Sequence, residues 1–75
     1  LLRAVRESRG VDLKQISKRT RISLNYLEAI EDDDFGALPA LVYVRGFVSE
    51  VAKCLDLDPV QVAHTYVRRV RRNLG

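Results

Sequence analysis

The sequence predicts an all-α fold, a compact five-helix bundle with a helix-turn-helix inside it. Three observations carry this. Apolar residues recur at three- and four-residue intervals, and nowhere do they alternate over the length of a strand. Two capping signatures, "DLKQ" and "LDPVQ", sit at the start of such repeats. The connections between the repeats are short, and the whole chain is only 75 residues. A chain of this length buries about 60% of its unfolded surface, which leaves room for one small domain over residues 1–75.

Each element has its own reason. The first helix covers about residues 1–9 and stops at Gly10, whose free φ suits a helix end. The second starts at Asp12, which caps it while Gln15 reaches back, and runs to about residue 19. The third starts at Ser23, another N-cap candidate, and runs to about residue 32. Asp32, Asp33 and Asp34 oppose continuation, because the helix dipole is negative at that end. "DFGALPA" follows as a loop, with Phe35 and Leu38 as anchors. The fourth helix covers about residues 41–55. The fifth has the clearest start: Asp58 caps, Pro59 takes the first helical position, Gln61 closes the box, and Leu57 staples to Val62. Val60, Ala63, Val67, Val70 and Leu74 then form one buried stripe.

Composition excludes several functions. The apolar fraction of 47% and charged fraction of 31% are those of a globular domain. No apolar run approaches the roughly 20 residues of a membrane span, and no signal-peptide pattern is present. Leu1 is not a start methionine, so the chain reads as a piece of a longer one. The lone Cys54 rules out an internal disulfide and fits a reducing cytoplasm. One cysteine and one histidine, His64, do not make a metal site, and no cofactor is expected. No serine or cysteine has a base and an orienting group, the four glycines are scattered, and the three aspartates lack the other ligands of a calcium loop. The chain reads as non-catalytic.

The fourth helix carries more apolar surface than one contact needs. Val44, Val48, Val51 and Leu55 make a stripe, flanked by Leu41 and Ala52. Tyr43, Phe47 and Cys54 make a second one, roughly 90° round at about 100° per residue. Gly46, in the helix interior, costs about 1 kcal/mol against alanine and leaves space beside Phe47. Tyr43 and Phe47 either complete the core or form a hot spot, with Arg45 and Lys53 at its rim.

Segments two and three have helix-turn-helix layout, joined by "TRI", with Leu13, Ile16, Ile22, Leu24, Leu27 and Ile30 as joint core. Used on DNA, such a motif would read bases near the start of its second helix. Ser23, Asn25, Arg21 and Lys18 are the candidates. The outward face of that helix, Asn25, Glu28, Ala29 and Asp32, has two carboxylates and no cation, which opposes phosphate neutralisation. Arg3, Arg6, Arg9, Lys14, Lys18, Arg19 and Arg21 could still grip a backbone.

"LRAVRESRG", "YLEAIEDDDFGALP", "YVRGF" and "LDLDP", in this order, resemble the cytoplasmic helix-turn-helix domain of the RodZ family of bacterial cell-shape proteins, with a lambda-repressor-like arrangement. The resemblance implies a cytoplasmic domain under the inner membrane that binds the actin-like filament protein MreB. It implies contact through Tyr43 and Phe47, assisted by Arg45, Gly46, Glu50 and Lys53. It also implies that Arg68, Arg69, Arg71 and Arg72 flank a membrane, as the positive-inside rule favours. Nucleic acid is the less favoured partner.

Overall fold

The computed structural model describes residues 2–74 of the chain, with no side-chain description at residue 74. It is all-α as predicted: α1 (Leu2–Ser8), α2 (Leu13–Thr20), α3 (Leu24–Glu31), a 3-10 turn at Phe35–Ala37, α4 (Leu41–Cys54) and α5 (Pro59–Leu74). No strand occurs among the described residues. The chain divides into two compact units, Leu1–Leu38 and Pro39–Gly75.

In the first unit α2 packs on α3. Its buried apolar residues are Leu2, Ile16, Ile22, Leu27, Ala29 and Ile30. Leu13 and Leu24 are only half-buried. The predicted box at α2 is present: Asp12 accepts from the Lys14 N–H at 3.2 Å, and its own N–H donates to Gln15 Oε1 at 2.9 Å. Ser23 occupies the N-cap position of α3 but makes no side-chain cap bond. The "TRI" turn is held by side chains. Ser17 Oγ donates to the Ile22 carbonyl at 2.6 Å. Thr20 Oγ1 donates to the Ile16 carbonyl and accepts from the Ile22 N–H.

Four helices end on a residue in the left-handed region. At α1 it is Gly10, at φ 67°, with Val11 N–H on the Arg6 carbonyl and Gly10 N–H on that of Glu7. This is the paired arrangement that satisfies the last free carbonyls. Asp33 does the same after α3 and Asp56 after α4, at φ 55° and 59°. Arg21, at φ 62°, closes α2 through one bond to the Ser17 carbonyl. The helices therefore stop where predicted, but three of the four stops strain a residue that is not glycine.

In the second unit α4 packs against α5. Val44, Val48, Val51, Ala52 and Leu55 are buried from α4 and its end, and Ala63, Tyr66, Val67 and Val70 from α5. Asp58 caps α5 by accepting the Val60 and Gln61 N–H groups. No return bond from the Gln61 side chain is present among the described residues. The predicted α5 stripe needs correction. Val60 is 75% exposed, while Tyr66 is buried. A repeat fixes the angle of a side chain about its helix axis, but not whether a neighbour covers that turn. Leu74, the last predicted member, has its side chain outside the described residues.

Candidate functional site: the exposed face of α4

The buried stripe of α4 leaves the opposite side of the helix to solvent. Tyr43 stands there 61% exposed, and Val42 beside it 74% exposed. Arg45, Gly46, Glu50 and Lys53 are exposed as well. Glu50 and Lys53 pair with each other at 3.3 Å. Phe47 is half-buried and engaged within the chain, so the two aromatics differ. Tyr43 is mostly exposed, whereas Phe47 is partly covered. Cys54 is half-buried and His64 exposed.

The sequence pattern did not single out Val42, and it placed Val60 in the buried stripe of α5. Val42 was within its reach, since about 100° per residue puts it far round the helix from Val44. Together with Arg45 and Gly46, Val42 lines an open groove of about 330 Å³, closed on the other side by Pro59, Val60 and Ala63 of α5.

The other candidates stand as follows. Lys18, Arg21, Ser23 and Asn25 are all exposed. The outward face of α3 is narrower than predicted, because Ala29 is 5% exposed and belongs inside. Asn25 and Glu28 remain, with Asp32 at the end of the helix. Two of the seven N-terminal cations are committed elsewhere. Arg6 donates to both oxygens of Glu31, at 2.6 and 3.0 Å, and to the Val11 carbonyl at 2.9 Å. Arg3 donates to Glu31 at 3.3 Å and also to Asp32. The Glu31 side chain is 3% exposed and those of Arg6 and Arg3 are 15% and 47%. Hydrogen bonding to Glu31 holds the Arg6 guanidinium above its usual range, and bonding to Asp32 and then Glu31 does so for Arg3. This buried carboxylate, which ties α1 to α3, was missed from sequence because it looked like one more surface acid.

Arg68, Arg69, Arg71 and Arg72 are exposed on α5, a helix with no Asp or Glu in its 16 residues. No group of three or more His, Cys, Asp or Glu suited to a metal occurs among the described residues. Among the same residues no helix is long and apolar enough to cross a membrane.

Two helices, α2 and α3, joined by a short connection that Ser17 and Thr20 hold, define the class, and the chain belongs to a family of helix-turn-helix domains whose model matches residues 1–62. Over 66 residues it is 39% identical to the cytoskeleton protein RodZ of Streptococcus pneumoniae, covering 88% of this chain and 24% of that protein. It is 31% identical over 52 residues to the uncharacterized membrane protein YmfM of Bacillus subtilis, covering 69% of this chain and 18% of that one. The chain thus spans a quarter or less of the length of these curated relatives. No solved structure matches it.

Proposed function

We propose that this chain is a non-catalytic interaction module of RodZ type that docks on an actin-like filament protein of the MreB class through the exposed face of α4. The observation that carries this is Tyr43. Valines, Ala52 and Leu55 close the buried side of α4 without it, and most of its surface stands in solvent. An exposed ring beside Val42, with Arg45 and Lys53 around it, has the make-up of an interface hot spot. The similarity to a protein called a cytoskeleton protein supports a filament as the partner. In this role the domain sits in the cytoplasm at the inner face of the membrane, and residues 1–75 act as one module. The α5 arginines then face anionic lipid, each worth up to about 1 kcal/mol near such a surface.

A DNA-binding regulator is the competing function, favoured by the exposure of Lys18, Arg21, Ser23 and Asn25. Glu28 and Asp32 on the α3 side, and the commitment of Arg3 and Arg6, weigh against it. Co-sedimentation with polymerised filament protein, run beside a salt titration against random duplex, separates the two. Filament docking predicts pelleting of the chain that resists moderate salt. Tight duplex binding that falls steeply with salt, without pelleting, supports the regulator instead.

A further inference from the structure

The groove beside Tyr43 has an occupant that its lining chemistry selects. Tyr43 and Gly46 are three residues apart, and therefore neighbours on the surface of α4. Beyond Gly46 the surface dips into the open groove between α4 and the first turn of α5. Val42 and Val60 face solvent at its edges, 74% and 75% exposed. Gly46 keeps the dip open. A Cβ at that position would meet nothing within 4 Å, so no packing inside the chain requires glycine there. Glycine is a poor helix former, and its use in mid-helix brings the free chain only cost. Access for an outside group is what the missing side chain provides.

Arg45 is the one charged residue in the lining. It makes no ion pair among the described residues, and the nearby Glu50 is paired with Lys53. The geometry points to this groove as the second half of the docking face: it receives a large apolar side chain of the protein partner, with a carboxylate of that partner close beside it on Arg45. This assignment rests on the filament docking proposed above. Charge complementarity selects a partner that brings its own acid. A second copy of this chain does not, because an isologous contact sets the same patch against itself. Arg45 would then meet apolar groups and another Arg45, with no lining carboxylate.

The test uses the 75-residue chain with Gly46→Leu, Val60→Lys and Arg45→Glu, beside Tyr43→Ala. Each is melted by circular dichroism, co-sedimented with polymerised MreB-type filament, and weighed alone by sedimentation equilibrium. The groove predicts that all three groove variants lose about tenfold or more in filament affinity. Their melting points stay at or above the wild-type value, since all three positions are exposed. If Tyr43→Ala loses binding while Gly46→Leu and Val60→Lys keep it, the groove is overturned and filament docking stands. A wild-type chain that does not pellet overturns both. A wild-type dimer that Gly46→Leu dissociates makes a second copy the occupant, and overturns the inference.

Discussion

At the scale of single residues, Glu31 and Tyr43 matter most, and for opposite reasons. The Glu31 side chain is buried and bonded to two arginines; Tyr43 is mostly exposed. A carboxylate 3% exposed between two guanidiniums is costly to leave unpaired and equally costly to replace by a weaker acceptor. Glu31→Gln is predicted to lower the unfolding free energy by about 1.5–3 kcal/mol, the usual worth of charge-assisted bonds, and urea denaturation measures it. The arginine side of this cluster adds no pH dependence near neutrality. A guanidinium held above its ordinary range contributes fully below that range, and the contribution fades only as pH rises through the elevated value. Phe47 is intermediate between the two cases. Phe47→Ala is predicted to cost about 1–2 kcal/mol of stability, because a half-buried ring has packing to lose, and a thermal melt checks it. The sequence marked both aromatics as candidates. It did not separate them, because helical angle alone does not say how far a neighbouring element reaches over each turn.

At the scale of elements, the helices are specified most clearly at their ends. The Asp12–Gln15 box and the Asp58 cap were legible because they depend on residues two or three apart. The helix stops were legible in position but not in chemistry, since only Gly10 announces a left-handed residue. Asp56 takes that conformation while exposed, with a Cβ that glycine would not carry. Asp56→Gly is therefore predicted to stabilise the second unit by about 1 kcal/mol, read from the denaturation midpoint. Gly46→Ala is predicted to stabilise α4 by a similar amount, about 1 kcal/mol, because the added methyl meets only solvent. A Gly46→Ala chain that melts lower than wild type would show that the space beside Gly46 is used within the fold. Ala29 and Val60 show where element-level reading ends. Each follows a repeat that predicts its angle about the helix, and each is reversed by what does or does not lie across from it.

At the scale of the whole molecule, the proposed protein partner and the competing DNA reading differ in the charge each would meet. Five N-terminal cations, Arg9, Lys14, Lys18, Arg19 and Arg21, keep their charge exposed. The outward face of α3 itself carries Glu28 and is followed by aspartates, which opposes entry into a groove lined with phosphates. The all-α class and the helix-turn-helix were readable from periodicity and caps alone. The groove of α4 and α5 was not, because it depends on two exposed valines brought together from separate helices. The central claim is that the α4 face works outward without holding the fold. Its most direct test is the filament affinity of Tyr43→Ala, measured by co-sedimentation with its melting curve alongside. The predicted result is a loss of about 2 kcal/mol or more in binding with an unchanged melting point. Wild-type affinity in that variant, or a lost fold, would contradict it.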